Sequence, residues 1–323
     1  MHDDSDRTMR AVLYDRFGGP EVLYVGRVPR PAPAPGEVLV RVRAFSVNGG
    51  ELLARSGRAR LVTGARFPQR TGIDFTGEIA ALGAGTGAWA VGDRVWGTAG
   101  RSPKGTAAEY VAVPADRVGP VPAGLDLVEA AALPVGTTAV TALRDKAALR
   151  PGERLLVRGA AGGVGNVAVQ LGRARGAEVT GLARAANLGF VRELGAQEAV
   201  DHRAVRPADL GRFDVVLDTV GTELSGYRRL LRPGGRMVTI AVDPTRILAT
   251  VGYLAASAVH GRGRVRAFSG NPKRPLLDAV ARHVTDGALR PAVDTVFPLA
   301  ETAAAHRALE AGGVRGKFVV RVD

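Results

Sequence analysis

A glycine-rich run has the residue types and spacing needed to bind a diphosphate group. It reads Gly-Ala-Ala-Gly-Gly-Val-Gly over residues 159–165 and follows the apolar segment 155–157. Glycines let backbone N–H groups at a helix N-terminus approach phosphate oxygens, where the helix dipole favours negative charge. In the best register of the G-x-G-x-x-G pattern, alanine replaces the first glycine. We therefore predict that a nucleotide diphosphate binds at Ala160, Gly162, Gly163, Val164 and Gly165.

The residue after the next predicted strand indicates which dinucleotide is bound. That strand covers residues 178–183, and Arg184 follows it. A carboxylate at this place would bind the ribose 2′-hydroxyl and repel a 2′-phosphate, whereas a guanidinium binds phosphate in a bidentate manner. The sequence thus favours NADPH over NADH, with Arg184 and Asn187 near the 2′-phosphate. The alternative is that Arg184 is one more solvated arginine.

The composition limits the partners that we expect. The net charge is +13, but only four of the 44 basic residues are lysines and the arginines are spread along the chain, which is typical of GC-rich coding rather than of a nucleic-acid site. The chain has no cysteine, which excludes disulfides and cysteine-ligated zinc and fits a cytoplasmic protein. Residues 1–10 lack the apolar core of a secretory signal, and no apolar window is long enough for a membrane span. The apolar segment 247–259 is expected to form a buried helix or a subunit contact.

Two kinds of pattern divide the chain. Short β-rich pieces separated by glycine turns occupy residues 38–113, which favours a strongly bent β domain. Helical patterns follow over 125–133 and 137–148. Strand candidates then alternate with helices, which requires crossovers and a parallel sheet. These strands cover residues 154–158, 178–183, 199–201, 213–218, 236–241 and 265–268, and the helices between them include one from 164 to Gly176 and others at 187–194 and 223–231. The C-terminal strand 316–322 is expected to rejoin the N-terminal β domain.

Several motifs in order along the chain resemble those of a known family. They are TGIDFTGE (71–78), VGDRVWG (91–97), the glycine run, LGA (194–196), DTVG (218–221) and RGKFV (315–319). Together they resemble the zinc-independent quinone oxidoreductases of the medium-chain dehydrogenase/reductase superfamily. The resemblance implies an α/β protein with a GroES-like β domain (1–122, completed by 269–323) and a doubly wound Rossmann domain (123–268). It also implies a homodimer formed through the Rossmann edge strand near residues 264–268.

The resemblance also suggests further positions that contact the cofactor. The nicotinamide ribose is expected along Thr219, Val220 and Gly221, and the ring between Ala241 and Val242. The Lys317 ammonium either reaches the cofactor or lies on the surface. Asp74 and Asp218 are expected to be structural, because Asp74 belongs to a structural Gly-Ile-Asp motif and Asp218 ends a strand where it can accept backbone hydrogen bonds.

Two departures from related enzymes bear on the chemistry. The zinc-dependent branch has a Gly-His-Glu motif where this chain has Gly-Ile-Asp (72–74), and Ile73 cannot bind zinc. The five histidines are scattered without metal-ligand spacing, so we expect no metal and assign the histidines to surface or packing positions. Many relatives carry a tyrosine a few residues after a Val-Asn motif, but here Leu53 takes that place. Asn48 then remains to hold a substrate carbonyl or the nicotinamide, with Glu51 nearby, unless Asn48 is simply a left-handed turn residue.

The expected reaction is reduction of a quinone or of a conjugated C=C bond by hydride from NADPH. Without a metal, the acceptor must delocalise the incoming charge onto an oxygen that hydrogen-bond donors can hold. One alternative is an enoyl reductase of secondary metabolism that acts on a polyketide-like substrate. Another is a non-enzymatic relative that senses NADPH or binds RNA, although a nucleic-acid partner is the less favoured expectation.

Overall fold

The computed structural model describes residues 7–100, 105–241, 243, 247–259 and 265–323. The chain divides into two compact units, which we call the first unit (Met1–Val135, Asn271–Thr285 and Pro291–Asp323) and the second unit (Gly136–Gly270 and Asp286–Arg290). The division after Val135, rather than after residue 122, places the segment 123–135 in the first unit. The short segment 286–290 belongs to the second unit.

Strands and helices alternate along the second unit, whereas strands dominate the first. In the described residues the strands are β1 (Thr8–Tyr14), β2 (Tyr24–Pro29), β3 (Glu37–Ser46), β4 (Gln69–Arg70), β5 (Asp74–Leu82), β6 (Arg94–Thr98), β7 (Tyr110–Pro114), β8 (Val118–Pro120), β9 (Arg154–Arg158), β10 (Glu178–Ala183), β11 (Glu198–Asp201), β12 (Phe213–Asp218), β13 (Leu231–Thr239), β14 (Val265–Ala267), β15 (Val293–Pro298) and β16 (Lys317–Arg321). The α-helices are α1 (Gly49–Arg55), α2 (Arg60–Thr63), α3 (Leu127–Ala130), α4 (Gly136–Val140), α5 (Gly163–Ala174), α6 (Leu188–Glu193), α7 (Leu224–Arg228), α8 (Ile247–Val259), α9 (Arg274–Thr285) and α10 (Thr302–Ala311).

A seven-stranded sheet forms the centre of the first unit. Its strand order is β15-β16-β3-β5-β6-β8, and β7 pairs with β3. The C-terminal strand β16 lies antiparallel to β3, with Val319 opposite Ser46, which confirms that the end of the chain rejoins the N-terminal domain. Aliphatic and aromatic side chains such as Phe45, Phe75 and Val320 fill the core. This pairing places the first residue of β16 beside the end of β3.

A parallel six-stranded sheet forms the second unit. Its order is β11-β10-β9-β12-β13-β14, which is the doubly wound order that the alternating pattern predicted. Leu155, Leu156 and Val157 of β9 are completely buried, because helices cover both faces of such a sheet. The order reverses between β9 and β12, and ligands of open α/β sheets bind outside the carboxyl ends of the strands at such a switch point.

Some element boundaries differ from the sequence predictions. Within the segment 125–133, only the short helix α3 forms. The segment 137–148 is divided between α4, which ends at Val140, and a π-helix over Thr141–Lys146. The helix predicted at 223–231 ends at Arg228, and β13 already begins at Leu231. The register between β12 and β13 shifts after Phe213, so that an irregularity absorbs the Pro-Gly-Gly sequence within β13. Strands β1 and β2 lie before residue 38, where the sequence analysis assigned none.

The segment 247–259 forms helix α8. It is not the buried helix that the sequence suggested, because Ala249, Ala255 and Ala256 are exposed; a subunit contact stays a prediction. Among the described helices, none combines the length and the apolar content that crossing a bilayer would require.

Candidate active site

The glycine run makes a tight turn between β9 and α5. Gly159 has a φ of +71°, a conformation that residues with a Cβ rarely adopt. A Cβ on Gly165 would lie 2.0 Å from the Gly159 carbonyl oxygen, so only glycine fits where the helix crosses back over the strand end. A Cβ on Gly162 would lie 3.4 Å from the same oxygen, which is an ordinary contact. The turn therefore depends on Gly159 and Gly165.

The N-terminus of α5 presents backbone donors beside this turn. Gly162 is the N-cap and has an extended backbone, with φ −77° and ψ 177°. Its own N–H donates to the Gly159 carbonyl, and the Ala160 N–H donates to Leu182 O. The N–H groups of Gly163, Val164 and Gly165, which begin the helix, have no acceptor within the helix. These three are the donors that the helix end offers to an anion, while Ala160 and Gly162 shape the turn.

Arg184 and Asn187 lie at the carboxyl end of β10, as the sequence predicted. Arg184 is half-buried and has an extended backbone at the start of a 3₁₀ turn over Ala185–Asn187. Asn187 is buried at the end of that turn. Since β10 neighbours β9 in a parallel sheet, both residues follow a strand end on the same edge as the glycine turn.

A buried ion pair fixes the two strand ends at the switch point. Arg158 Nη1 lies 2.5 Å from Asp218 Oδ1, and the guanidinium stacks 3.6 Å from the centre of the Tyr227 ring. Asp218 is fully buried and also accepts hydrogen bonds from the Thr239 hydroxyl and from the backbone N–H groups of residues 220 and 221. These contacts agree with the structural role predicted for Asp218.

The loop after β12 begins with Thr219, whose hydroxyl donates to Arg158 O. Val220 is 44% exposed, and Gly221 has a φ of +87°. Ala241 is half-buried after β13 and its carbonyl oxygen lies 2.8 Å from the Thr239 hydroxyl oxygen, whereas Val242 lies outside the described residues. The strand ends predicted to contact the nucleotide therefore share one edge of the sheet.

A second polar cluster lies in the first unit, around the end of β3. Lys317 Nζ donates to Asn48 Oδ1 and to Val47 O, both at 2.7 Å. Lys317 is only 4% exposed, so the surface position that the sequence left open is wrong. Burial lowers the pKa of Lys317, and the negative charges of Asp74 and Glu51 oppose that shift.

Asn48 connects the charged groups of this cluster. Its Nδ2 lies 3.0 Å from Glu51 Oε1, 3.0 Å from Asp74 Oδ2 and 3.1 Å from Ser46 O. These three acceptors and the lysine donor fix which end of the amide is oxygen. The backbone of Asn48 is extended, with φ −121°, so the left-handed alternative is wrong. Both amide hydrogens are engaged inside the cluster.

Asp74 anchors the cluster to β5. Its carboxylate accepts hydrogen bonds from the Ser46 N–H and hydroxyl at 2.7 and 2.6 Å. Burial raises the pKa of Asp74, against the lowering effects of the Lys317 charge and of the Ser46 hydroxyl. These bonds hold the end of β3 against the start of β5, and the structural role of Asp74 stays a prediction.

Sequence reasoning missed two buried side chains next to Glu51. His306 is completely buried on α10, and its Nε2 lies 3.6 Å from Glu51 Oε2. Arg55, one turn after Glu51 on α1, is 1% exposed and donates to Glu310. Their spacing of four residues, as Glu51 and Arg55 on α1 and as His306 and Glu310 on α10, was the available signal.

The residues of the first unit do not fit a catalytic zinc ion. Ile73 occupies the position of the histidine ligand and has no donor atom, and the chain has no cysteine. The described residues contain no group of three or more histidine, aspartate or glutamate side chains that could hold a metal. The glycine turn, by contrast, fits a dinucleotide, because Gly159 and Gly165 let α5 begin close to the end of β9, which brings the helix N–H groups to the switch point.

The fold and these sites define a class: an α/β oxidoreductase with a GroES-like unit and a Rossmann unit. The family models for the alcohol dehydrogenase GroES-like domain and for zinc-binding dehydrogenase match residues 34–123 and 194–320. The quinone oxidoreductase from Coxiella burnetii is similar, with a TM-score of 0.88 and 30% identity over 98% of this chain and 100% of that one.

Two relatives extend the comparison. The NAD(P)H oxidoreductase RTN4IP1 of Mus musculus is 31% identical over 97% of this chain and 89% of its own length. A mycocerosic acid synthase-like polyketide synthase of Mycobacterium tuberculosis is 33% identical over 92% of this chain, which spans only 14% of that protein. The chain belongs to the zinc-independent quinone oxidoreductase family of the medium-chain dehydrogenase/reductase superfamily. It is an oxidoreductase of a family that binds nicotinamide dinucleotides.

Proposed function

We propose that this protein reduces a quinone or a conjugated C=C bond with NADPH as the hydride donor. The observation that carries the proposal is the glycine turn at the switch point of the second unit, followed by Arg184 rather than a carboxylate at the end of β10. The N–H groups of Gly163, Val164 and Gly165 would hold the diphosphate, and the Arg184 guanidinium would hold the 2′-phosphate. When bound, NADPH supplies the hydride.

The first unit supplies hydrogen-bond donors for an acceptor that gains negative charge on oxygen. Both hydrogens of the Asn48 amide are engaged by Glu51, Asp74 and Ser46 O. Lys317 uses two of its three ammonium hydrogens on Val47 O and Asn48 Oδ1. We therefore assign Lys317 as the donor to the acceptor oxygen, and Asn48 as the group that orients the ammonium. A quinone or enone suits such a site because conjugation carries the charge to an oxygen.

NADPH oxidation tests the proposal directly. We expect turnover with 1,4-benzoquinone or with simple enones, and tighter binding of NADPH than of NADH by calorimetry.

Replacing Arg184 by glutamate should raise KM for NADPH by at least roughly tenfold, because a charge-assisted phosphate contact is lost, and should change KM for NADH much less. The exposed Arg229 of the same unit offers a matched control, as Arg229→Glu. Equal effects of Arg184→Glu on both coenzymes would remove the NADPH assignment.

The polyketide synthase relative favours a second candidate, an enoyl reductase that acts on a thioester. The two candidates predict different acceptors. An enoyl reductase should turn over crotonyl or longer enoyl thioesters faster than benzoquinone at equal concentration, and a quinone reductase should show the reverse order.

We also propose that the protein forms a homodimer through β14. This strand is at the edge of the six-stranded sheet and pairs only with β13 among the described strands. An unpaired edge can add a strand from a second copy. Light scattering should give twice the chain mass, and the substitution Ala267→Pro in β14 should give monomers.

A further inference from the structure

Ile73 is a solvent-exposed apolar side chain immediately before β5. It is 36% exposed, whereas Thr71 and Asp74 in the same segment are 5% and 2% exposed. Scattered apolar side chains are common on protein surfaces, so exposure alone assigns no role to this residue. What distinguishes Ile73 is its fixed backbone and its place beside the Asn48 cluster.

The backbone on both sides of Ile73 is held in place. Gly72 has a φ of +98°, and a Cβ there would lie 2.3 Å from the backbone nitrogen of a neighbouring segment, so only glycine fits. The Ile73 carbonyl accepts a hydrogen bond from Ala99 N at 2.9 Å. The Asp74 carbonyl accepts one from the Thr106 hydroxyl at 2.7 Å. These contacts fix the direction in which the Ile73 side chain leaves the backbone.

The Ile73 side chain reaches the first turn of α1, where two glycines follow Asn48. A Cβ placed on Gly50 would lie 3.3 Å from Ile73 Cδ1, and a Cβ placed on Gly49 would meet nothing beyond its own segment within 4 Å. Both glycines are exposed. The start of the helix therefore leaves open a space beside the isoleucine that larger residues would fill.

The same segments carry the polar groups of the cluster. Asp74, the residue after Ile73, has its Oδ2 atom 3.0 Å from Asn48 Nδ2. Asn48 Oδ1 lies 2.7 Å from Lys317 Nζ. The apolar side chain and the ammonium are thus both connected to Asn48, the first through Asp74 and the second directly. A molecule whose oxygen binds Lys317 has an apolar surface within reach for its carbon skeleton.

We propose that Ile73 is a specificity-determining residue, which selects acceptors with alkyl groups on the conjugated system. This selectivity rests on the proposed function and narrows it, because alkyl-substituted quinones and enones would be preferred to unsubstituted or charged ones. Contact with Ile73 removes apolar surface of the acceptor from water, and each methylene group buried strengthens binding about fourfold. A charged substituent at the same place would lose its hydration without gaining a partner.

Methyl NMR tests the contact without turnover. The chain has four isoleucines, so labelling of the isoleucine δ1-methyl groups gives few signals, and it has no cysteine that a quinone could alkylate. We expect tert-butyl-1,4-benzoquinone, added to protein loaded with NADP⁺, to shift the signal of Ile73, which is identified by its loss in Ile73→Ala. Ile79, 1% exposed on β5, is the internal control and should not shift. An unshifted Ile73 signal at a quinone concentration that saturates turnover would overturn the proposal.

Kinetics with two quinones test the selectivity. Ile73→Ser should lower kcat/KM for tert-butyl-1,4-benzoquinone roughly tenfold or more, mainly through KM, and should lower it much less for 1,4-benzoquinone. The matched control is Val91→Ser, because Val91 is 64% exposed and precedes β6 at the end remote from the pairing of Asp74 with Thr98. This control should change neither rate.

Gly50→Leu tests the open space without removing an apolar group. Leucine has a higher helix propensity than glycine, so α1 should still form. Because a Cβ at this position already lies 3.3 Å from Ile73 Cδ1, the larger side chain should block access to the isoleucine. We expect KM for tert-butyl-1,4-benzoquinone to rise roughly tenfold or more, while Kd for NADPH stays within about twofold. An unchanged KM in Gly50→Leu would contradict the proposal, even if Ile73→Ser fails to fold.

Failure of the selectivity and failure of the proposed function give different results. Equal losses of kcat/KM for both quinones in Ile73→Ser, or an equal loss in Val91→Ser, would reject the role of Ile73. Wild-type protein that oxidises NADPH with no quinone or enone would reject the proposed function, while the NMR titration would still show whether the quinone contacts Ile73.

Discussion

Lys317 Nζ lies 2.7 Å from Asn48 Oδ1, although 269 residues separate the two positions in the chain. The antiparallel pairing of β16 with β3 makes this contact, because it places the start of the last strand beside the end of the third. The ammonium is thus held by the backbone carbonyl of Val47 and by an amide whose orientation the carboxylates fix.

Lys317→Met should lower kcat about 100-fold with little change in NADPH affinity, as expected for removal of a donor to a developing oxyanion.

Burial lowers the pKa of Lys317 from its usual value, so the charged form persists below that lowered pKa and is lost as pH rises through it. The wild-type rate should therefore fall at alkaline pH. Steady-state rates across the pH range measure both effects.

Lys317→Arg is the matched variant for this prediction. A guanidinium stays charged in proteins, so its residual activity should lose the alkaline decline. An unchanged alkaline decline in Lys317→Arg would show that another group titrates.

Asp218→Ala should lower the free energy of unfolding by about 3–5 kcal/mol, because it leaves the Arg158 guanidinium buried without its partner. Urea unfolding followed by circular dichroism measures the loss. The control is Asp116→Ala, which removes an ion pair to Lys273 whose side chains are 52% and 60% exposed. Exposed pairs contribute little, so the control midpoint should not move measurably. Similar losses in both variants would contradict the assigned role of Asp218.

Gly165→Ala and Gly162→Ala should differ sharply in stability. A Cβ at Gly165 would lie 2.0 Å from a backbone oxygen, and relieving such overlap costs about 1–3 kcal/mol. Alanine gains at most about 1 kcal/mol in helix propensity, so the steric cost prevails. Gly162→Ala meets only an ordinary contact. Thermal unfolding compares the two, and a lower Tm for Gly162→Ala than for Gly165→Ala would refute the close approach of Gly165 to the Gly159 carbonyl.

Treatment with a metal chelator should leave the reductase activity unchanged. The reason is the chemistry of the side chains: Ile73 cannot coordinate a metal, and Asp74 is saturated by hydrogen bonds from Ser46 and Asn48. Metal analysis of purified protein checks the same point. Stoichiometric zinc, or activity lost to the chelator and restored by zinc, would be contrary to this expectation.

The strands of the second unit could be predicted accurately from the sequence, because the apolar runs and glycines that mark them are local signals. Strands β9, β10 and β12 have the bounds that their apolar runs predicted, and the glycine spacing marks the turn between β9 and α5. The predicted boundaries of β13 were wrong because a local signal for a turn lies inside that strand. Pro-Gly-Gly at 233–235 is typical of a turn, but a register shift accommodates it inside β13.

The polar cluster of the first unit was predicted only in part, because long-range pairing assembles it. The sequence identified Asn48, Glu51 and Lys317 as candidates, yet nothing local indicated that Lys317 would be buried against Asn48. His306 was assigned to a surface or packing position, since a single histidine on a helix has no signature of its own. Its packing in the core agrees with that assignment, but its contact with Glu51 required the three-dimensional structure.

The pairing of β16 with β3 also sets the order in which the two units can fold during translation. The sheet of the first unit, whose strand β3 ends just before Asn48, stays incomplete until residue 321 has emerged from the ribosome. The strands around the glycine turn lie between residues 154 and 267 and are available earlier. A nascent chain released early would hold an exposed edge on β3 and no ammonium beside Asn48. Truncated products should therefore retain nucleotide affinity while lacking turnover.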